Sequence, residues 1–265
     1  MIPTPVIPEP AISEPAVPGP AIPGVFITGT GTDVGKTVVT AGILRWLRRH
    51  TSAGMVMKPV QTGCTRSDNG RMSAPDIDFV LRAANIAVSE ETHPHLAPYR
   101  FEPACSPHLA AQLAGQRIEI GRILESARWL ASRHRQLVVE GAGGVAVPLN
   151  ESQTMLDLAW EMHMPVLLVG HSGLGTINHV LLSLEAIRRR GCRVLGVILN
   201  DIRPVAEGER YIHDDNVRAI ERFGQIAVAR IPHLPQLSQL SVGMPEMDAL
   251  DHSLNDCEFL KECLP

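Results

Sequence analysis

Short apolar runs alternate with stretches of helical periodicity along most of this chain. Six of the apolar runs are expected to be strands: Val25–Thr28, Met55–Met57, Leu137–Val139, Val166–Val169, Val194–Leu199 and Ile226–Ile231. Strands separated by helices in this way form crossover units, in which helices cover a parallel sheet. The pattern therefore predicts an α/β fold with a mostly parallel sheet and helices on both faces.

Two of the intervening segments carry an apolar stripe at helical spacing. The first stripe comprises Ile120, Ile123, Leu124, Ala127, Leu130 and Ala131, and the second comprises Ile177, Val180, Leu181, Leu184 and Ile187. Stripes of this kind pack against a core. Gly191, after three arginines, suits a helix end, because cations are favoured at the negative end of the helix dipole.

The two ends of the chain differ from the rest. Residues 1–24 contain eight prolines, which block helices and central strands, so we expect a disordered proline-rich tail followed by one domain over residues 25–265. From Met244 onward only a weak, acidic helical pattern is visible. The sequence predicts no definite structure for residues 241–265.

Composition narrows the classes of function. The 265 residues are 45% hydrophobic and 20% charged, as in one large α/β domain. A net charge of −4 gives no basic footprint for nucleic acid or an anionic membrane. Five cysteines without metal-site spacing indicate reduced thiols. Because no apolar run approaches 18 residues and no signal peptide pattern is visible, we expect a cytoplasmic protein.

The first strand runs directly into a glycine-rich turn and a helix start, in the stretch VFITGTGTDVGKTVVT. Backbone N–H groups of such a turn bind a polyphosphate, Lys36 adds a positive charge, and the Thr37 hydroxyl is suited to coordinate Mg²⁺. Five residues separate Gly29 from Gly35, whereas the common phosphate-binding loop has four. The order of strand, turn and helix nevertheless predicts a P-loop NTPase fold.

Polar residues follow the second strand, at the edge where open α/β sheets bind ligands. They form the turn KPVQTG, from Lys58 to Gly63. Lys58 is expected to face the phosphates, although a lysine that ends a strand is often only a solvated surface charge. Its role is therefore a hypothesis.

Acidic residues occur where they could bind a metal. Asp76 and Asp78 open a predicted helix, and a carboxylate there either complements the helix dipole or holds Mg²⁺. Glu140 ends the third strand and precedes the small residues of 141–144, which let a phosphate approach the backbone. A tight turn would explain the glycines but not the acid.

Two further junctions between a loop and a helix are candidate anion sites, because helix N-termini bind carboxylates and phosphates. They are Ser106-Pro107-His108 and the segment GLGTINH from Gly173 to His179. Neither histidine has the spacing of a catalytic triad or a metal site.

Together these segments resemble the dethiobiotin synthetases, ATP-dependent enzymes of biotin biosynthesis. The similarity runs from about Val25 to His233 and rests on TGTGTDVGKT, KPVQTG, Asp76, the SPH turn, VEGAGGVAVPL, GLGTINH, Asn200-Asp201 and ARIPHLP. The family's phosphate loop has the same five-residue gap. The resemblance implies carboxylation of 7,8-diaminopelargonate with CO₂ and closure of a ureido ring through a carbamic-phosphoric anhydride, with release of ADP and phosphate.

The resemblance also implies roles for individual residues. The catalytic residues would be Lys36, Lys58 and Thr62, with Thr62 also touching substrate, and the Mg²⁺ ligands would be Thr37, Asp76 and Glu140. The ATP contacts would be Asp33, Val34, Gly35, Lys36, Thr37, Val38, Asp76, Glu140, Gly141, Ala142, Gly143, Asn200, Asp201, Pro232, His233 and Leu234.

The family is homodimeric, so the resemblance implies active sites at a subunit interface. The helix start Leu174, Gly175, Thr176, Ile177 and Asn178 would receive the tail carboxylate of the substrate held by the other subunit. The stretch between Asp201 and Ile226 is longer than usual, and either Asn216 or Tyr211 could also reach that carboxylate. Spacing to Pro232 favours Asn216.

Two other classes of protein use a related loop. Cobyrinic acid diamide synthetases carry a glutamine amidotransferase domain, for which too few residues follow Glu140. Partition and septum-positioning ATPases have a second lysine five residues before the P-loop lysine, and this sequence has Gly31 there.

Overall fold

The computed structural model describes residues 21–51, 53–66, 70, 72–235 and 245–263. The elements are β1 (Gly24–Gly29), α1 (Lys36–Thr51), β2 (Met55–Met57), β3 (Val60–Gln61), α2 (Pro75–Ala83), α3 (His93–Leu96), β4 (Tyr99–Arg100), α4 (Pro107–Leu113), α5 (Ile120–Ala131), β5 (Leu137–Gly144), α6 (Met155–Glu161), β6 (Val166–His171), α7 (Thr176–Arg189), β7 (Val194–Asn200), α8 (Arg210–Gly224), β8 (Val228–Ile231) and α9 (Pro245–Asn255), with short 3₁₀ helices at Glu207–Glu209 and Glu258–Cys263.

The main sheet has six strands in the order β2-β5-β1-β6-β7-β8, and its neighbouring strands pair in parallel. All six predicted strands are confirmed as members of this sheet. β1 lies between β5 and β6: the chain first passes from β1 to β2 on one side, and later crosses from β5 to β6 on the other side of β1. Such a switch point opens a crevice beyond the carboxyl ends of the strands, and the glycine-rich loop after β1 lies there.

Three local predictions need correction. β5 continues to Gly144 rather than ending at Val139, so Glu140 is a strand residue that pairs with Ile27 of β1. β8 begins at Val228 rather than Ile226. The KPVQTG segment is not only a turn, because its Val60–Gln61 pairs in parallel with Tyr99–Arg100 in a separate two-stranded sheet.

The sheet is buried between helices, as its apolar strands require. Parallel strands covered on both faces are apolar throughout, and residues 166–169 of β6 are fully buried. Both predicted stripes are confirmed. Ile123, Ala127 and Leu130 of α5 are fully buried, as are Val180 and Ile187 of α7. Among the described residues no helix is long and apolar enough to cross a membrane.

Both ends of the described chain pack on the domain. Ile22 is 4% exposed and donates its N–H to the Met162 carbonyl, while the Pro23 carbonyl accepts from Leu137. The packed domain therefore begins before Val25, and residues 1–20 of the predicted tail lie outside the described residues. At the other end, α9 packs on α1, and Leu250 and Leu254 approach Gly42 so closely that a Cβ there would meet them at 2.9 and 2.5 Å.

Candidate active site

A cavity of about 660 Å³ lies at the carboxyl edge of the sheet, over β1, β2 and β5. It is lined by Thr32, Asp33, Gly35, Lys36, Thr37, Lys58, Val60, Gln61, Thr62, Asp76, Ala104, Cys105, Ser106, Pro107, Glu140, Ala142, Gly143 and Val147. The three predicted catalytic residues and the three predicted metal ligands all belong to this set. Residues far apart in the sequence meet here because parallel strands end at the same edge.

The loop after β1 has the backbone that a phosphate cradle requires. Asp33 and Gly35 have φ angles of 58° and 87°, in the left-handed region. A Cβ at Gly35 would lie 1.8 Å from the Asn200 side-chain nitrogen, and one at Gly29 would lie 2.9 Å from Val34 Cγ2 and 3.0 Å from the Gly31 carbonyl oxygen. Glycine is therefore needed at both ends of the five-residue gap, and the loop leads into the N-terminus of α1, which attracts anions.

The side chains at the cavity floor form what we call the P-loop cluster: Lys36, Thr37, Lys58, Asp76 and Glu140. The Lys58 ammonium lies 2.8 Å from Oε1 of Glu140 and also pairs with Oδ2 of Asp76. The Thr37 hydroxyl donates to the same Glu140 oxygen at 2.9 Å. Among the described residues, Oε2 of Glu140 and Oδ1 of Asp76 accept no hydrogen bond.

Burial sets the charge properties of the two lysines. The Lys36 ammonium donates to the Gly31 carbonyl at 2.7 Å, and its burial lowers the pKa to about 8 despite the opposing effect of Glu140. For Lys58, burial alone would also lower the pKa, but Glu140 and Asp76 outweigh it and the pKa is raised. Lys58 is therefore held firmly in its charged form.

Several predicted nucleotide contacts lie around the cavity rather than in it. Val34 and Val38 are 5% and 7% exposed and belong to the core, so only their backbone can face a ligand. Gly141 faces Met155 and Phe26 and not the cavity. Asn200, at the end of β7, lies against Gly35 and donates to the Val34 carbonyl at 3.4 Å.

Asp201 belongs to a different group of charges, which we call the β7 cluster: Ser172, Asp201, His213 and Arg230. The Asp201 carboxylate is 5% exposed, accepts from the Ser172 hydroxyl, and takes Arg230 Nε at 3.0 and 3.1 Å and Nη2 at 2.9 Å. His213 Nδ1 lies 2.8 Å from the Ser172 hydroxyl. Both carboxylate oxygens are thus bonded within the protein, and the predicted nucleotide contact by Asp201 stays a prediction.

The predicted adenine-side turn borders a second cavity, of about 560 Å³. The residues that line it are Asp201, Val205, Arg210, Asp214, Arg230, Pro232 and His233. His233 lies 3.3 Å from the Asp201 carbonyl through Nδ1. Leu234 is 4% exposed and packs in the core, so its side chain does not line this cavity.

Of the predicted carboxylate-binding residues Leu174 to Asn178, only Leu174 lines a third cavity, of about 370 Å³, that does not include the P-loop lysines. Leu174 is 89% exposed, Gly175 has a φ of 91°, and the Thr176 side chain is buried. Asn216 is 5% exposed and donates to the Ser172 and Gly173 carbonyls at 2.8 and 3.2 Å. Asn216 is thus buried and bonded within its own subunit, whereas Tyr211 is 69% exposed. The expected contact of Asn216 with another subunit's substrate stays a prediction.

Tertiary contacts add residues that the sequence did not single out as functional. Gln61 bonds to Asp76, while Cys105 and Thr32 line the main cavity. Of the SPH turn, Ser106 and Pro107 reach the cavity but His108 does not. The only sequence signal for Gln61 was its place inside KPVQTG, the segment that also contains Lys58 and Thr62.

Comparison with known proteins finds several relatives that share one enzyme name. The AAA domain family model matches residues 23–241. The ATP-dependent dethiobiotin synthetase BioD of Haloferax mediterranei is 38% identical over 234 residues, covering 88% of this chain and 90% of its own. The enzyme of the same name from Anoxybacillus flavithermus is 36% identical over 219 residues, covering 82% and 95%. That of Anaeromyxobacter sp. strain K is 42% identical over 179 residues, covering 68% and 77%.

Solved structures of similar fold are more distant. The Aquifex aeolicus MinC:MinD cell division complex aligns with a TM-score of 0.52 and 14% identity, over 87% of this chain and 86% of that one. A Cyanothece McdA variant in complex with ATP aligns with a TM-score of 0.53 and 12% identity, over 93% and 97%. At this identity the likeness concerns the fold alone, and it agrees with the P-loop NTPase architecture.

Proposed function

The chain belongs to the ATP-dependent dethiobiotin synthetase family, and we propose that its P-loop cavity carries out that family's reaction. In this reaction 7,8-diaminopelargonate is carboxylated with CO₂, a ureido ring closes, and ATP is converted to ADP and phosphate. The protein is thus a ligase of biotin biosynthesis. The observation that carries the proposal is the convergence of Lys36, Thr37, Lys58, Asp76 and Glu140 on one cavity.

ATP binding follows from the loop after β1. Its backbone N–H groups and the N-terminus of α1 attract the triphosphate, and Lys36 adds a charge next to it. Asn200 lies against Gly35 of the phosphate cradle, on the side of the cavity lined by Pro232 and His233. We assign the nucleoside end of ATP to that side of the site.

The donor set fits Mg²⁺. A hard cation of this size takes one or two carboxylates together with phosphate oxygens and waters, and the cavity offers Asp76, Glu140 and the Thr37 hydroxyl. Each carboxylate has an oxygen that the described residues leave free of hydrogen bonds. When bound, the ion would neutralise charge on the transferring phosphate.

Lys58 has the position to bring two anions together. The carbamate that one amine of the substrate forms with CO₂ is negatively charged, and so is the γ-phosphate that it attacks. Because like charges repel, the site must supply positive charge between them, and Lys36 and Lys58 are the lysines that line this cavity. Thr62, on the same cavity wall, is assigned to hold the diamine.

The chemistry then proceeds in two displacements. A carbamate oxygen forms a bond to the γ-phosphorus as the bond to the ADP oxygen breaks, giving a carbamic-phosphoric anhydride. The second amine next attacks the carbonyl carbon, loses its proton, and expels inorganic phosphate as the ring closes. The protein's part is to position the two anions and stabilise the charge that shifts between them.

We further propose that the enzyme works as a homodimer in the cytoplasm. The loop before α7, with Gly173 and Leu174, lines a separate cavity and does not reach the P-loop cavity, which supports a substrate tail that extends to α7 of another copy. Four large apolar side chains on α7, on α8 and in the turn before α7 are 63% to 89% exposed: Leu174, Leu182, Tyr211 and Phe223. Four described cysteines are free thiols, which suits a reducing compartment.

Product analysis tests the proposal directly. The protein is incubated with ATP, Mg²⁺, bicarbonate and 7,8-diaminopelargonate, and dethiobiotin is sought by mass spectrometry, with Lys36→Ala as the control. Dethiobiotin that depends on all four reactants is the expected result. Phosphate release without consumption of the diamine would contradict the proposal and indicate a nucleotide-driven switch instead.

A further inference from the structure

Gln61 is a buried amide at the wall of the active-site cavity, and its bonds reach the acid Asp76. The side chain is 4% exposed. Its Nε2 donates to Oδ2 of Asp76 at 3.3 Å and to the Thr62 carbonyl at 3.0 Å, while its Oε1 accepts from the Asp76 N–H at 3.3 Å. Gln61 therefore bonds to both the backbone and the carboxylate of the same residue.

The start of α2 explains why this contact matters. The first N–H groups of a helix have no partner within the helix, and a Ser, Thr, Asp or Asn at the N-cap normally accepts one of them. Here the N-cap is Ala74, which makes no side-chain cap. Gln61, from another strand, accepts the Asp76 N–H in its place and so fixes the turn that carries Asp76.

The orientation of the Gln61 amide is determined by its partners. Two of them, the Thr62 carbonyl and the Asp76 carboxylate, are acceptors, whereas the third, the Asp76 N–H, is a donor. Exchanging the amide oxygen and nitrogen would place acceptor against acceptor twice. Gln61 is itself held by β3, which pairs with β4, so its amide is supported from the backbone side.

We propose that Gln61 is a positioning residue that holds the Asp76 carboxylate toward Lys58 and the phosphate loop, and that ties this acid to Thr62 on the substrate side. The proposal rests on the proposed function in one respect, since it takes Asp76 as a Mg²⁺ ligand. Partners that orient a metal ligand typically contribute about 10- to 100-fold to metal affinity. Gln61 should thus act on Mg²⁺ affinity through Asp76.

The test measures binding rather than turnover. Binding of a fluorescent, non-hydrolysable ATP analogue to the full-length protein is followed by its fluorescence while Mg²⁺ is titrated in. The thermal midpoint of each variant is also measured. Gln61→Met keeps the side-chain length without hydrogen bonds, and we expect the Mg²⁺ concentration for half-maximal binding to rise about tenfold. Gln61→Glu keeps an acceptor for the Asp76 N–H but sets a carboxylate against Asp76, so its rise should be at least as large.

Two further variants distinguish a specific effect on the metal site from a general loss of stability. Asn150→Leu removes another buried amide, one that bonds to the Ile118 carbonyl and to Gln153 outside this cavity, and should lower the thermal midpoint without moving the Mg²⁺ titration. Asp76→Asn should move the titration itself. If Asp76→Asn moves it but neither Gln61 variant does, positioning by Gln61 is refuted while the metal site stands. If none of the three moves it, both the role of Gln61 and the assignment of Asp76 fail.

Discussion

The P-loop cluster and the β7 cluster each hold a buried carboxylate against basic side chains at the carboxyl edge of one sheet, yet they differ in how those carboxylates are used. Among the described residues, Glu140 accepts hydrogen bonds from Thr37 and Lys58, both on the same oxygen. Asp201 has both oxygens bonded, with Arg230 in a forked contact and Ser172 beside it.

We expect this difference to separate a metal-binding carboxylate from a mainly structural one. A carboxylate with an oxygen turned to a cavity can still accept a cation, whereas one enclosed by guanidinium and hydroxyl groups cannot without losing strong bonds. Sequence position alone does not distinguish the two, because Glu140 and Asp201 are both acids at the carboxyl edge of the sheet. The comparison predicts that changes in the P-loop cluster affect turnover, and that changes in the β7 cluster affect stability.

Lys36→Ala should have the largest effect. A charge-assisted phosphate contact contributes mostly to the transition state, so kcat should fall on the order of a hundredfold or more while the fold remains. Steady-state product formation and a circular dichroism melt measure the two properties. A variant with near wild-type kcat would show that the loop does not hold the transferring phosphate.

Arg230→Met should give the largest effect in the β7 cluster, on stability. It leaves the Asp201 carboxylate buried without its main partner. Breaking a fully buried pair costs roughly 3–5 kcal/mol, and because the Arg230 side chain is 25% exposed we expect a smaller loss, about 2 kcal/mol, in urea unfolding. Turnover of the folded fraction should fall far less than in Lys36→Ala. Unchanged stability would contradict the structural role of the cluster.

Within the P-loop cluster, Lys58→Gln and Glu140→Gln should change different kinetic properties. Lys58→Gln loses the cation that attracts the carbamate, so kcat should fall about tenfold and the KM for the diamine should rise, with less effect on ATP. Glu140→Gln should instead raise the Mg²⁺ requirement, because a neutral amide is a poorer ligand for a hard cation. Titrations of diamine and Mg²⁺ against both variants check this, and identical profiles would reject the division of roles.

His213→Asn should have the smallest effect. Asn can still bond to the Ser172 hydroxyl, so the unfolding free energy should fall by no more than ~1 kcal/mol. Product formation at saturating substrate should stay within twofold of the unchanged protein, which is read in the same assay as Lys36→Ala. A fall in kcat comparable to that of Lys58→Gln would mean that the β7 cluster participates in the reaction.

Much of the fold followed from local pattern. All six strands of the main sheet were predicted, because a strand covered on both faces must be apolar along its length. The two apolar helical stripes, which include Ile123 and Val180, were also predicted, since helical periodicity places their residues on one face. The order of strand, glycine-rich turn and helix around Lys36 also identified the phosphate loop, because that function depends on a continuous stretch of backbone.

What the sequence determined by itself, therefore, was the order of elements, the phosphate loop, and the family to which its motifs are similar. Tertiary structure decided which polar side chains meet. It extended β5 beyond Glu140, placed Gln61 on Asp76, paired Asp201 with Arg230, and bonded Asn216 to the Ser172 and Gly173 carbonyls before α7. The physical reason is that these bonds join residues distant in sequence, whose distances depend on how strands and helices pack, whereas periodicity and loop glycines act within a few residues of one another.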